Sequence, residues 1–534
     1  MLYLDIKLEQ AQEMFCEEAL LATVSIWLKR RYHMIFSRFW SFKLLPVNPN
    51  NSAAIFDRIF IEYNDYASLL EQYHGIRLTF IQTERTEDII SIAYRELKKG
   101  FPIAVNFNDK YYPWTPENRQ GESFYYPCLV TGISDDNEGI YCIDIHDFKK
   151  PAIIPKDIFI KAYKDCVTFS IADDEKNDID WRTVIKSNTS SLLENNSFES
   201  IREFSKLVAN PDNYALEING TGNLCEKIKY IYHSRYFFSH FFTYLINYHN
   251  AHVLSECRDR FIFLSNQWLS LWGLITATLY RQKLNGTMDF IPQSSFIRKI
   301  GTASAKLCNI ADIEQSLCGD LINIIEGRAV SSPVTAASPS IIAQTDRLRE
   351  YRFIDISGFL NNEGFYSDID KHTAASLTCT GQVFLTHGFP SGTIWDSQGM
   401  RFKFTQPVDG KNDNISCSGQ KINLENDCFS CIMLMGCAEW GHYSELLEIR
   451  YLDGTVSNIP LEFTDWSYPE AHFGEAVVWE GMCAEKDREG ILRSSMLKGH
   501  LYARALNLNP GLQLDYIRLP DCSNIHLFAI TLAK

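Results

Sequence analysis

The chain has 534 residues, 46% of them hydrophobic and 22% charged, and a formal net charge of -15. At roughly 100–200 residues per domain that length predicts about three domains, with apolar material for several cores. The acidic balance and the lack of a long Lys/Arg run exclude the usual electrostatic footprint of a nucleic-acid or anionic-membrane binder; Lys29-Arg30-Arg31 reads as a solvated turn of helix.

Fifteen cysteines in so long a chain are too dilute for a disulfide scaffold. The N-terminus lacks a basic stretch followed by an apolar one, so no signal peptide is expected. Free thiols and a cytoplasmic location are the expectation.

The first zone, residues 1–175, mixes helix and strand. Cys16 to Phe36 reads as a helix, with Leu20, Leu21, Val24, Leu28 and Tyr32 near the 3.6 period. Thr86 to Lys99 reads as a second, stopped by Gly100. Strands are expected at Pro102–Phe107, Cys128–Ile133 and Gly139–Asp144, and the acidic run Asp173–Asp178 breaks the pattern.

Residues 190–328 read as helical: one helix opens at Ser197, and others span Cys225–Val253, Phe261–Arg281 and Leu307–Glu326. Phe261 to Tyr280 carries no charge and is long enough to cross a bilayer, but Ser265, Asn266, Gln267 and Ser270 interrupt it, so a buried core helix is expected. Residues 329–344, with two prolines among small polar residues, read as a linker. In 345–534, short apolar runs such as Phe429–Met435, Leu447–Tyr451 and Leu527–Leu532 alternate with turn signals such as Asp453-Gly454, the pattern of an antiparallel β-sandwich.

Cys16 opens the first helix. The partial positive charge of a helix N-terminus lowers a thiol pKa, which suits a nucleophile, while Glu17 and Glu18 oppose that shift; the alternative is a buried helical cysteine. Phe15-Cys16-Glu17-Glu18-Ala19-Leu20, then Phe39-Trp40-Ser41-Phe42, Tyr73-His74-Gly75-Ile76, the run from Gly100 to Val105, Asp109 to Trp114, Leu129-Val130-Thr131-Gly132 and Tyr141-Cys142-Ile143-Asp144 follow in order. Together they resemble the N-terminal domain of the butirosin-biosynthesis acyltransferase family, which groups with papain-like folds. The resemblance implies an α+β papain-like domain over 1–175, with the helical region 190–328 completing its cleft. It implies Cys16 as nucleophile, a His as base and Asp144 as the residue orienting that His. At the His position this sequence has Tyr126, a phenol and a poor base near pH 7. Either the pair is broken, or another imidazole substitutes: His146, two residues after Asp144, or less readily His74. Gln10 matches the oxyanion-hole position, with Gln12 nearby. Asp144 alternatively ends a strand, and Cys142 reads as strand core.

The resemblance implies acyl transfer. Cys16 attacks a phosphopantetheine thioester on an acyl or peptidyl carrier protein and passes the acyl group to an amine or other small acceptor. The competing readings are a scaffold that has lost catalysis and a carbohydrate-recognition protein. No phosphate-binding glycine loop or dinucleotide fingerprint is apparent, so no cofactor is expected. His233 and His240 lack a nearby carboxylate, and Cys428-x-x-Cys431 lacks a second pair, so no metal is expected.

The C-terminal zone, from Ile354-Asp355-Ile356-Ser357-Gly358 through Asp413-Asn414-Ile415-Ser416, Phe463-Thr464-Asp465-Trp466 and Ile517-Arg518-Leu519-Pro520, resembles the galactose-binding-like jelly-roll module of some bacterial glycosidases. Trp395, Trp440, Trp466 and Trp479 are either sugar-stacking faces or core; Asp465 reads as a turn residue.

Overall fold

Helix α1 (Cys16–Trp27) is shorter than its periodicity predicts, and the cause is local. Lys29 adopts a left-handed conformation, φ 57°. Lys29 N–H then bonds Ile26 O, and Arg30 N–H bonds Ser25 O at 2.8 Å, the paired bonds of a Schellman stop. The expected helix resumes only as a short turn, His33–Phe36. The computed structural model describes residues 2–9, 14–46, 55–61, 65–82, 88–111, 125–144, 151–219, 222–284, 292–328, 350–378, 380–389, 394–404, 406–424, 426–487 and 489–534. The expected linker 329–344 lies outside them.

Two compact units are formed. The first takes Met1–Trp40, Glu62–Asn188 and Tyr236–Arg258; the second takes Ser41–Ile61, Thr189–Arg235 and Asp259–Lys534.

In the first unit a seven-stranded sheet is built from β1 (Ile76–Ile81), β2 (Ile103–Asn108), β3 (Tyr125–Ile133), β4 (Gly139–Asp144), β5 (Ala152–Pro155) and β6 (Tyr163–Ile171) in the order β1-β6-β2-β3-β4-β5, with Leu2–Tyr3 pairing on β3. Every pairing is antiparallel. Alternate residues Ile103, Val105 and Phe107 of β2 share one apolar layer with Cys128, Val130, Ile140 and Cys142. Helix α2 (Asp88–Lys98) caps that layer with Ile89, Ala93 and Leu97, a spacing of four that keeps them on one stripe. Gly100, at φ 88°, ends it by letting Phe101 N–H reach Glu96 O. A short helix α3 (Lys156–Ala162) adds Phe159 and Ala162. Helix α1 packs on β3. It is buried on most sides, from Glu18 through Ser25, which makes it a core helix.

The second unit combines helices and a sandwich. Helix α4 (Trp181–Glu194) precedes α5 (Ser197–Ala209), α6 (Leu224–His249), α7 (Ser255–Leu284) and α8 (Ser294–Ile325), of which α4, α6 and α7 each divide between the units. No helix among the described residues is long and apolar enough to cross a membrane. The polar residues that interrupt the apolar stretch of α7 have partners in the sandwich: Gln267 donates to Ser444 O at 2.8 Å, and Ser270 bonds the Glu445 carboxylate. Lys306 of α8 closes on the same carboxylate at 2.6 Å.

The sandwich has an eight-stranded sheet, which includes Tyr351–Phe353, Ile525–Ala533, Cys431–Ala438, Leu492–Asn507, Ala476–Lys486, Val383–Leu385 and Phe365–Tyr366 in that order, and a four-stranded one, Lys421–Asn423, Leu514–Arg518, Tyr443–Tyr451 and Val456–Phe463. The pairings are antiparallel except Phe365–Tyr366 with Val383–Leu385, a parallel departure from the expected pattern. Trp466 and Trp479 lie in the core between the sheets, at 6% and 7% exposure. Trp395 packs against that core. Trp440 meets Trp272 edge-on at 6.1 Å. Asp465 is a buried turn residue, accepting from Gly441 N–H at 2.7 Å and Ser467 N–H at 3.0 Å.

Candidate active site

Cys16 is the first residue of α1, following Phe15 in extended conformation, and no side chain caps the helix there. Three α1 backbone groups near it are therefore left to other partners, the setting in which a thiolate is favoured. The environment reverses that preference. Burial pushes the Cys16 thiol up to about 11, its own backbone N–H opposes this, and the charges of Glu18, Asp144 and Glu17 push further in the same direction. The expectation of a lowered pKa from helix position thus fails against desolvation and three carboxylates. At pH 7 a thiol with a pKa near 11 is ionised to about one part in 10⁴.

Asp144 comes from another element. It ends β4, opposite Cys128 in the β3–β4 register, and is 5% exposed. It is close enough to Cys16 for its charge to act on the sulfur. Residues 128 places apart in sequence are thus brought together by α1 packing on β3 and β3 pairing with β4. Tyr126, near the start of β3, packs against the apolar layer under α2. Cys142 is fully buried beside Cys128, and burial raises its pKa well above the usual thiol value. Gln10, Gln12 and His146 lie outside the described residues.

His74 is occupied elsewhere. Its Nδ1 lies 2.7 Å from Glu175 Oε1, and its Nε2 accepts from Met34 N–H at 3.3 Å. Both ring nitrogens therefore have partners, which fixes a neutral tautomer with hydrogen on Nδ1. Burial lowers the His74 pKa, with Glu175 acting against that shift. No local pattern marks this pair, because Glu175 sits inside the acidic run that reads as a domain break.

The carboxyl of Glu18, expected to oppose ionisation of Cys16, is itself buried beside the cysteine. Glu18 is 2% exposed and accepts a hydrogen bond from the Tyr66 hydroxyl. Burial raises its pKa, as it does that of Glu17. Its only sequence signal was a charged residue on a stripe otherwise made of Leu20, Leu21 and Val24.

Among the described residues no group of three or more His, Cys, Asp or Glu side chains is placed to hold a metal ion. His233 belongs to the second unit and His240 to the first. Cys428 and Cys431 carry free thiols, as do the other described cysteines.

Residues 360–534 match a family model described as the AziU2-like beta-sandwich domain. The match covers the C-terminal sandwich and leaves the first unit unmatched. No curated protein matches the chain.

Proposed function

We propose that the chain is a cysteine-dependent acyltransferase, with Cys16 as nucleophile, acting on a thioester carried by a phosphopantetheine-bearing acyl or peptidyl carrier protein. One observation supports the reading above the others: a half-buried thiol at the start of a core helix, packed on an antiparallel sheet, with a buried carboxylate at a neighbouring strand end within electrostatic reach. The thiol and the carboxylate are two of the three parts of a papain-like site, the third being the imidazole, and they agree with the resemblance of the first zone to the butirosin-biosynthesis acyltransferases. The likeness of the C-terminal sandwich to galactose-binding-like modules belongs to the same proposal as a likeness of fold.

The chemistry follows from the thiol pKa. A sulfur held near 11 is not a preformed thiolate, so its proton leaves during attack, to a general base. His146 is the proposed base, with Asp144 orienting it and Gln10 donating to the oxyanion. The thioester carbonyl is attacked by sulfur and the pantetheine thiol departs with the proton. An amine then attacks the acyl-Cys16 thioester; its C–S bond breaks as the C–N bond of the amide forms, and the amine proton passes by way of the base to the departing sulfur and restores the thiol.

The raised thiol pKa and the apolar packing of Tyr126 favour a second reading, a papain-like scaffold without catalysis. Incubation with an acyl N-acetylcysteamine thioester, followed by peptide mass spectrometry, separates the two. Acyl transfer requires an acyl adduct on the Cys16 peptide that is lost in Cys16→Ala and reduced about 100-fold or more in His146→Ala. If no adduct forms on Cys16 while surface thiols such as Cys308 acylate, the scaffold reading replaces it.

A further inference from the structure

The second unit contains a cleft of about 650 Å³, lined by Tyr280 and Arg281 from α7 and by residues of the sandwich. Its sandwich wall is polar in a particular way. Thr378 and Thr380 both direct their hydroxyl hydrogens at Gln382 Oε1, and Ser376 directs its own at Thr378 O. Asn362 turns its Nδ2 inward, donating toward Leu377 O and Asn414 Oδ1. Each group has thereby committed its hydrogens to the protein. A hydroxyl oxygen keeps acceptor capacity after donating, and an amide with Nδ2 engaged keeps Oδ1. This wall is a set of acceptors waiting for O–H or N–H donors.

Two cations and one carboxylate line the cleft, and Glu363 also acts on the charge of Lys486. Lys486 gives one hydrogen to Ala374 O at 3.2 Å, and an ammonium has three. Arg281 is anchored by Glu439 at 3.2 Å, a carboxylate with no exposure. Asp487, also at the cleft, has its carboxylate engaged by the backbone N–H groups of Glu489 and Ile491 and by Arg493 at 3.0 Å, so its charge is answered locally.

The wall is also fixed from behind. Asn414 Oδ1 meets His526 Nδ1 at 2.9 Å, and Asn414 Nδ2 donates to Asp413 at 2.8 Å. Asp413 in turn accepts from Gly364 N–H and Phe365 N–H. All three side chains are at or below 1% exposure. A buried, mutually bonded set of this kind holds Asn362 in place and gives the cleft a preorganised acceptor edge.

We propose that this cleft is a binding site for a small polyhydroxylated anion. Its acid group is held by Arg281 and Lys486, and its hydroxyl hydrogens are received by Thr380 Oγ1 and Asn362 Oδ1. The site is independent of Cys16 chemistry: none of its residues takes part in acyl transfer, and binding needs no reaction.

The test is calorimetric titration of the full chain with four probes at low salt: D-gluconate, D-glucose 6-phosphate, D-glucose and inorganic phosphate. Binding of gluconate or glucose 6-phosphate at least about tenfold tighter than of glucose or phosphate is the expected result, and which of the two binds identifies the acid group. Lys486→Gln is expected to weaken that binding about tenfold and Thr380→Val about threefold, each with an unchanged melting temperature. Silence of both hydroxylated anions overturns the proposal. So does equal binding of phosphate alone, or full affinity in both variants.

Discussion

His74 donates its Nδ1 hydrogen to Glu175 across 2.7 Å, joining residues that lie 101 positions apart in the chain. The pair belongs to a buried group of imidazoles in the first unit. His33 stacks between Tyr32 at 4.3 Å and Tyr244 at 5.1 Å, and His74 meets Tyr244 edge-on. Burial pushes His33 down to about 4, with His74, His240 and Arg31 adding to the shift and Glu175 opposing it. His240 and His249 are also lowered, mainly by burial.

This group makes the protein acid-sensitive. Each folded-state pKa lies below the unfolded value near 6.5, so the unfolded chain takes up protons first as pH falls. The stabilisation is complete above about pH 6.5 and is lost toward pH 4. His33 alone contributes on the order of 3 kcal/mol across that window. Glu175, whose pKa is lowered by its partners His74 and Arg31, acts in the same direction at the acid end. Urea unfolding at pH 7.5, 6 and 5 should show a falling midpoint, and His33→Phe should flatten the slope. A midpoint independent of pH would remove the imidazoles from the account.

Cys16 should alkylate slowly. With its pKa near 11, the iodoacetamide rate should still be rising at pH 9, where an ordinary thiol is half ionised. Glu18→Gln should move the profile downward more than Glu17→Gln, since Glu18 is the larger electrostatic cause. A midpoint near pH 7 in the wild type would mark a sulfur already paired with an imidazolium.

Arg235 and Glu314 form a buried ion pair with no exposure on either side. Arg235 Nε and Nη2 meet the two Glu314 oxygens at 3.0 Å and 3.2 Å, and Trp268 Nε1–H donates to the same carboxylate at 3.0 Å. Removing one partner leaves the other charged in a dry site. Arg235→Ala should therefore cost about 3–5 kcal/mol in chemical unfolding. The double replacement Arg235→Met with Glu314→Leu should cost much less than the sum of the singles, and strict additivity would show the pair to be uncoupled.

Gly273 of α7 lies close against the sandwich. A Cβ there would lie 1.4 Å from the Tyr443 hydroxyl oxygen, which accepts from Asn524 Nδ2 at 3.0 Å. Gly273→Ala should destabilise by about 1–3 kcal/mol, although alanine favours a helix over glycine. Combining it with Tyr443→Phe should recover part of the loss. A stabilised Gly273→Ala variant would mean the contact yields freely.

Much of the fold was readable in the sequence because periodicity reports burial within a single element. The Ile89, Ala93, Leu97 stripe, the strands at Ile103–Asn108 and Gly139–Asp144, and the turn-punctuated runs of the sandwich follow from it. Strands β1 and β6 escaped, since Phe80 is 70% exposed and Ile171 48%, so neither strand carries a full apolar face. The end of α1 escaped because a lysine, where glycine is usual, takes the left-handed position. At the candidate site, helix position suggested Cys16 and the family resemblance added Asp144, while the pairing of His74 with Glu175 and the burial of Glu18 had no local signature.

What the sequence determined by itself is the inventory: a thiol opening a core helix, a carboxylate closing a strand, and turn-punctuated apolar runs in a sandwich. Only the tertiary structure decided what those groups experience. Desolvation and charge at Cys16 depend on what the fold places around it, including Asp144 from 128 residues away, and they turn an expected thiolate into a protonated thiol. The fold likewise brings Arg281 and Lys486 to one cleft, and such energies follow distance in space and not spacing along the backbone.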